Sequence, residues 1–204
     1  EGNRYLDGCS GAVAANLGHA HPRMLKAAVA QLKKIAFAYR TQFANEPADR
    51  LAELLVQLSP PELNRAFFVN SGSEAVESAV KLARQFWRTR GEGAKSLVVA
   101  RRPSYHGSTL GALALTDYAP LNIPFRPMLQ MQPKVAAPFC YHCPLSHRYP
   151  GCEMACVKDT ERSILSYGPE NIAALIVEPI GGSTTGAFSH IRISLNTDRS
   201  EIRI

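Results

Sequence analysis

The sequence predicts an α/β protein in which a mostly parallel sheet is flanked by helices. Three short apolar runs, at residues 66–69, 97–100 and 173–177, are separated by longer helical patterns. Each run is continuously apolar rather than alternating, which is typical of strands buried on both faces of a parallel sheet. The alternation of such strands with helices favours parallel α/β topology over an all-helical or all-β fold.

Four stretches repeat apolar residues every three or four positions, which predicts amphipathic helices. They are residues 22–34, a stretch that begins at Pro47 and ends before Ser59, residues 74–90 and residues 156–167. Pro22 stands at a first helical position, where proline is favoured. Two of these helices, 74–90 and 156–167, fall between the predicted strands and can cover a sheet, whereas the other two precede the first strand.

Composition narrows the function classes. The chain has 204 residues, of which 46% are hydrophobic and 20% charged, as in an ordinary globular protein. No apolar run is long enough to span a membrane, so we expect no membrane partner. The net charge of +6 is spread along the chain rather than concentrated with aromatic residues, so we expect no nucleic-acid partner.

The N-terminus and the cysteines indicate the cellular compartment of the chain. EGNRYLDGCSG lacks a basic region followed by an apolar core, so no secretory signal is predicted. It also lacks an initiator Met, and we expect the chain to begin inside a longer protein. An odd count of five cysteines without a signal favours a reducing compartment. We therefore predict a cytoplasmic location.

A turn of small polar residues joins the first predicted strand to the third predicted helix. FVNSGSEAVESAVKLAR, residues 68–84, passes through Asn70, Ser71, Gly72 and Ser73 into a helical pattern. The free N–H groups and partial positive charge of a helix start can bind an anion. A plain helix cap by either serine explains the same residues. No GxxxxGK[ST] or GxGxxG motif occurs to support a nucleotide loop.

Further polar groups follow the other two predicted strands. SYHGSTLGAL places Tyr105 and His106 after the second strand, and LIVEPIGG places Glu178 after the third. Open α/β sheets bind ligands at the carboxyl ends of their strands. Tyr105 can stack on a planar ring and His106 can act as an acid or base, although a single histidine more often makes a structural hydrogen bond. Glu178 can also be a surface residue, but the three strand ends together predict a ligand site.

These three motifs, in this order and at these spacings, resemble the class III (omega-type) aminotransferases. GNRYLDGCSGAVAANLGHAHP, residues 2–22, resembles the stretch before the first long helix of that family. The likeness covers residue 1 to about residue 188. It implies a partial large domain of the aspartate-aminotransferase type (fold type I), with pyridoxal 5'-phosphate as cofactor. It also implies a homodimer in which each active site is completed by the neighbouring subunit.

The resemblance assigns cofactor-binding roles to six residues, which are Ser71, Gly72, Ser73, Tyr105, His106 and Glu178. Ser71, Gly72 and Ser73 would hold the cofactor phosphate. Tyr105 would stack on the pyridine ring, with His106 beside it. These roles come from the likeness to the family.

The resemblance also implies which residues lie near the substrate and which reaction takes place. Glu178 would lie near the cofactor ring and the substrate channel, and the stretch around Ser10 would help to line the substrate pocket. The implied reaction moves an amino group from an amine or amino acid to a 2-oxo acid. The family contains decarboxylating and amino-shifting members, so the reaction type stays open.

The likeness divides the chain into three parts. They are an N-terminal segment with an interdomain helix at 1–45, a partial cofactor-binding large domain at 46–188, and a tail at 189–204. The sequence from Phe188, FSHIRISLNTDRSEIRI, does not resemble the family, and we expect a truncated or frame-shifted end. Ile191, Ile193 and Leu195 alternate, which is compatible with a stray strand.

No catalytic residue is assigned in this chain. In the family, the Asp that pairs with the pyridine nitrogen and the Lys that forms the Schiff base come after the matching region. None of the lysines of the matching region corresponds to that Lys: Lys26, Lys33, Lys34, Lys81, Lys95, Lys134 and Lys158. We therefore expect the chain as written to be inactive alone.

Four cysteines lie in a proline-rich stretch, residues 117–156, that shows no clear period. We expect this stretch to be a functional or interface loop. The segment CYHCPLSHRYPGCEMAC has His142 and His147 among its thiols, which are Cys140, Cys143, Cys152 and Cys156. Four thiolates can close a tetrahedral zinc site, but the spacing is imperfect. The main prediction is that these cysteines are free thiols in a loop and that the chain has no metal site. The alternative is that the four cysteines bind zinc.

Two further functions stay open at the level of sequence. One is a non-catalytic fragment that is stabilised by zinc or binds another protein. The other is a different α/β enzyme that holds a phosphate-bearing ligand in the same turn. Bound zinc would favour the first, and failure to bind pyridoxal phosphate would favour the second.

Overall fold

The computed structural model describes residues 2–186, and the chain divides into two compact units. The first ends at Phe67 and the second begins at Phe68. The domain boundary at residues 45 and 46 stays a prediction. The tail at 189–204, with its alternating Ile191, Ile193 and Leu195, lies outside the described residues.

The first unit is helical. Its helices are α1 (Ser10–Val13), α2 (Pro22–Lys34) and α3 (Glu46–Leu58). The two long helices were both predicted from periodicity. Asn45 caps α3, because its side chain accepts a hydrogen bond from the Ala48 N–H at 3.2 Å. No side chain among residues 2–67 is buried, so the described part of this unit has no apolar core of its own.

The described part of the second unit contains three strands. Its elements are α4 (Gly72–Thr89), β1 (Leu97–Arg102), α5 (Leu110–Leu115), α6 (Ala119–Asn122), β2 (Lys134–Ala136), α7 (Ala155–Tyr167) and β3 (Ile172–Ile176). Short 3-10 helices cover Ile123–Met128, Cys140–His142 and Pro169–Asn171. The predicted positions of α4, α7, β1 and β3 are confirmed to within about two residues. Among the described residues, no helix is both long and apolar enough to cross a bilayer.

The strands form one parallel sheet in the order β2-β1-β3. Its two faces carry separate apolar clusters. On one face the cluster is Val99, Val135, Ile164 and Ile172. On the other it is Val98, Ala100 and Leu115, with Val76 and Val80 of α4 packed against it. Burial of the central strand on both faces accounts for its unbroken apolar sequence, and the predicted fold class is confirmed.

A hydrogen bond fixes α4 to β3. The indole Nε1 of Trp87 donates to the Ala173 carbonyl at 2.7 Å. Beside it, the buried Lys95 ammonium donates to the Pro169 carbonyl at 2.9 Å and lies 4.4 Å from the Trp87 ring centroid. These contacts hold the C-terminal half of α4 to the sheet and so locate the turn at its N-terminus.

The predicted strand at residues 66–69 is wrong. The segment pairs with none of the described strands, and Phe67 and Phe68 are 62% and 38% exposed. An apolar, β-prone run forms a strand only where a neighbouring strand completes its hydrogen bonds. None of the three described strands lies beside it to do so.

The expectation of an irregular loop at residues 117–156 is also corrected. This stretch contains β2, which pairs in parallel with β1, and Val135 is 2% exposed in the core. The strand has three residues and begins with Lys134, whose Nζ donates to the Ala114 carbonyl at 2.7 Å. So short a strand with a lysine at its start has no apolar run from which to predict it.

Candidate functional site

The turn before α4 is a helix cap. Ser71 occupies the N-cap position, and its hydroxyl accepts from the Glu74 N–H at 3.2 Å. The Glu74 carboxylate reaches back and accepts from the Asn70 N–H at 2.7 Å. The two bonds form a reciprocal cap of the capping-box kind. The interpretation of the turn as a helix cap by one of its serines is therefore correct.

The cap leaves the N–H groups of the first two helical residues without an acceptor inside the helix. In α4 these residues are Gly72 and Ser73. A Cβ placed on Gly72 would meet no other atom within 4 Å. This 18-residue helix therefore presents an open start that can accept an anion.

The loop after β1 meets this turn. The Ser108 N–H donates to the Ser73 hydroxyl oxygen at 3.0 Å, and the Tyr105 and Ser108 hydroxyls lie 3.2 Å apart. A Cβ on Gly107 would lie 2.6 Å from that Ser73 oxygen, and the φ of Gly107 is +131°. Only glycine fits this close approach at this backbone conformation. The structure thus brings the predicted turn and the predicted aromatic residue together.

Glu178 reaches the same loop from the end of β3. Its Oε2 accepts from the Tyr105 N–H at 3.1 Å. Burial raises the pKa of the Glu178 carboxyl above its usual value, against the opposing effects of the Tyr105 hydrogen bond and the Arg101 charge. The carboxylate therefore fixes the backbone of Tyr105. Because β1 and β3 are parallel, both groups lie at the same edge of the sheet.

His106 is buried behind Tyr105. The backbone N–H of His106 donates to the hydroxyl oxygen of Thr116 at 2.9 Å, and Thr116 is itself fully buried. Burial, and secondarily the charge of Lys134, lowers the pKa of His106 to about 4. The imidazole is neutral near pH 7, and its buried Nε2 has no hydrogen-bond partner among the described residues. The structural hydrogen bond weighed for this ring is therefore not formed, and its role at the site stays a prediction.

Sequence reasoning missed two residues of this region. Thr116 ends α5 and holds the backbone of His106, but nothing in the pattern GALALT separates it from other threonines. Burial lowers the pKa of Lys134 to about 8. A single lysine in a proline-rich stretch carries no local signal of burial.

The cysteines are all free. Cys140 is exposed, and Cys143, Cys152 and Cys156 are half-buried. Within residues 2–186, no three or more His, Cys, Asp or Glu side chains gather closely enough to hold a metal ion. Burial raises the pKa of the Cys156 thiol, which favours the protonated form over a metal-binding thiolate. The geometry gives no support to the zinc alternative.

The fold and this edge of the sheet define the class of protein. It is an open α/β protein in which a capped helix start, an aromatic loop and a carboxylate gather at the carboxyl ends of parallel strands. Such edges are where this class binds its ligands.

Comparison with known proteins gives the family. Residues 1–191 match the model of the family described as aminotransferase class-III. The chain belongs to the class-III aminotransferases. Membership implies pyridoxal phosphate as the cofactor of the family, and the assignment to fold type I follows from it.

Individual relatives of the chain are also named as aminotransferases. The chain is 40% identical to the uncharacterized aminotransferase YodT of Bacillus subtilis, over 92% of this chain and 42% of that protein. It is 37% identical to an adenosylmethionine-8-amino-7-oxononanoate aminotransferase of Geobacter sulfurreducens, over 88% of this chain and 40% of that protein. The chain therefore spans about two fifths of the length of these relatives.

Solved structures show the same fold. An amine transaminase from an uncultivated Pseudomonas species, crystallised in its PLP-bound form, superposes with a TM-score of 0.81. It is 32% identical over 88% of this chain and 41% of that one. An omega transaminase from Pseudomonas jessenii in complex with PMP superposes equally well, at 31% identity.

Proposed function

We propose that this chain is the cofactor-binding part of an enzyme that moves an amino group from an amine or amino acid to a 2-oxo acid. One observation carries the proposal. The open start of α4 and the Tyr105 loop are joined through Ser73 and Ser108, so one ligand with a phosphate and a planar ring can contact both.

The residues present fit pyridoxal phosphate. Gly72 has open space where a side chain would block an anion, and its N–H and that of Ser73 would donate to the phosphate. The Ser73 oxygen already accepts from Ser108, which leaves its hydroxyl hydrogen to donate as well. Ser71 adds a second hydroxyl at the same turn.

The ring would lie against Tyr105. Glu178 accepts from the Tyr105 N–H, so the aromatic residue is fixed from its backbone while its ring is left to stack. His106, neutral because its pKa is about 4, would position this loop rather than exchange protons near pH 7. Bound pyridoxal phosphate supplies an electron sink for the carbon that carries the amino group.

Assembly and location belong to the same proposal. We propose that the full-length protein is a homodimer, as the family resemblance implies, and that it works in the cytoplasm. The free state of all five cysteines is compatible with a reducing compartment.

The test is the affinity of the chain for pyridoxal phosphate after Gly72→Val. Loss of one or more charge-assisted hydrogen bonds should raise the Kd at least about tenfold. The protein itself should stay folded, because a Cβ at the Gly72 position has open space around it. Titration followed by absorbance and calorimetry gives the Kd.

Two controls accompany this variant. Gly93→Val adds the same side chain at an exposed glycine of ordinary φ, and Asn64→Ala changes an exposed loop residue. Both should leave the Kd unchanged. If all three substitutions weaken the binding of pyridoxal phosphate equally, or if none of them does, the hypothesis of a phosphate site at this turn is wrong.

A further inference from the structure

We propose that Glu77 is a positioning residue that holds the Tyr105–Ser108 loop and α5 against the start of α4, and so sets the distance between the phosphate and ring contacts of one ligand. The ligand part of this inference rests on the proposed function. The structural part stands on contacts that need no ligand.

Glu77 binds the start of α5 from α4. Its Oε1 accepts from the Thr109 hydroxyl at 2.7 Å and from the Ala112 N–H at 3.2 Å. Glu77 lies four residues after Ser73 in the same helix, and residues so spaced share one helix face. Ser73 and Glu77 therefore make two successive contacts with the segment 108–112.

Two glycines permit this approach. A Cβ on Gly111 would lie 2.5 Å from the Glu77 carboxylate, and a Cβ on Gly107 would lie 2.6 Å from the Ser73 hydroxyl oxygen. Each contact of α4 thus faces a position where a side chain would collide. A side chain at either glycine would require the facing α4 side chain to shift.

The contact uses one acceptor oxygen at the reach of a glutamate side chain. Both donors, the Thr109 hydroxyl and the Ala112 N–H, converge on one oxygen, and an ionised carboxylate only accepts. Asp is one methylene shorter. Gln keeps one acceptor oxygen but loses the charge and places an N–H₂ group beside Gly111.

This contact has different consequences for small and large ligands. Inorganic phosphate needs only the start of α4. Pyridoxal phosphate needs that start and the Tyr105 loop at a fixed spacing. Loss of Glu77 should therefore weaken the binding of pyridoxal phosphate more than the binding of phosphate.

The first measurement compares these two ligands on the full chain. Glu77→Ala should raise the Kd of pyridoxal phosphate about tenfold, as expected for loss of a charged acceptor, and that of inorganic phosphate by less than about threefold. The Kd of pyridoxal phosphate for Glu77→Gln should lie between the values for Glu77→Ala and for the unchanged chain. The matched control is Glu161→Gln, an exposed glutamate of α7, which should change neither Kd.

The second measurement is hydrogen exchange without ligand. In Glu77→Ala the amide of Ala112 should exchange at least about tenfold faster, because it loses its acceptor, whereas amides in α7 should keep their rates. Alanine is a strong helix former, so α4 should persist.

The outcomes separate this inference from the proposed function. If the unchanged chain binds neither ligand, the proposed function fails, and exchange at Ala112 still decides the structural role of Glu77. Unchanged exchange at Ala112 in Glu77→Ala overturns the proposal. So does equal weakening of both ligands, because a residue that merely supports the fold would act in that way.

Discussion

Single hydroxyl groups tie the loops of this site together at the scale of the residue. The Ser73 oxygen accepts from the Ser108 N–H, and the Thr116 oxygen accepts from the His106 N–H. The His106 N–H is buried, so its bond satisfies a backbone donor that would otherwise lack a partner, whereas the Ser108 N–H is exposed. The loop that carries Tyr105 is thus held at both ends by side chains from elsewhere in the chain.

His106 should make the folded state sensitive to acid. Its pKa is about 4 when folded and about 6.5 in an unfolded chain. Between these values the unfolded chain binds a proton that the folded chain does not. Stability should therefore fall as the pH drops from about 6.5 to about 4, by roughly 2–3 kcal/mol.

The measurement is urea denaturation at several pH values in that window. His106→Asn removes the titrating group, so its stability should depend less on pH, whatever its absolute value. His147→Asn, at an exposed loop position, should keep the full dependence. An unchanged slope in His106→Asn would show that another group is responsible.

At the scale of the element, each face of β1 depends on a helix. Ile164 is the buried residue of α7 and joins Val99, Val135 and Ile172 in one cluster. α4 covers the other face through Val76 and Val80. The sheet has only three described strands, so these helices exclude water from most of its central strand.

Adjacent residues of α7 should differ sharply in their importance. Ile164 is 3% exposed and Leu165 is 61% exposed. Ile164→Ala should lower the free energy of unfolding by about 2–5 kcal/mol, because it removes buried methyl groups and leaves a cavity. Leu165→Ala should change it by less than about 0.5 kcal/mol. Chemical denaturation of both variants measures the difference, and similar losses would contradict the packing of α7 on this sheet.

At the scale of the whole molecule, the two units differ in how much they bury. The second unit has a sheet with apolar clusters on both faces. The first has no buried side chain among residues 2–67, and Leu25 and Leu32 of α2 are 54% and 62% exposed. Amphipathic helices obtain most of their stability from packing, so α2 and α3 depend on surfaces that their own unit does not provide.

We expect the chain by itself to transfer no amino groups. None of its lysines matches the family's cofactor-attaching lysine. Lys81 is eight residues along α4 from Ser73, about 12 Å at the rise of an α-helix. Lys134 Nζ is engaged with the Ala114 carbonyl. Neither is placed to take over that role.

The measurement is incubation with pyridoxal phosphate, borohydride reduction and mapping of modified lysines by mass spectrometry. Scattered labelling without turnover is the expected result. Stoichiometric labelling of one lysine, with amino transfer to pyruvate or 2-oxoglutarate, would refute the expectation. An unrelated lysine-rich protein treated in the same way controls for non-specific labelling.

Local patterns in the sequence were sufficient for much of the fold. The apolar period of α2 and α3, the composition of β1 and β3, and the small polar turn before α4 each reflect forces that act within a few residues. Helix periodicity, proline positions and helix caps are sequence features of this local kind. The family resemblance was likewise carried by short motifs.

Contacts between distant segments were beyond the reach of those patterns. The run at residues 66–69 has the composition of a strand but no described partner, whereas β2 is a strand with hardly any pattern. Ser73 meets Ser108, Glu77 meets Thr109 and Tyr105 meets Glu178 across 35, 32 and 73 residues of chain. Such pairs form only when packing of the sheet and helices brings the segments together. A one-dimensional pattern records which side chains can make a hydrogen bond, while the folded chain selects the partner.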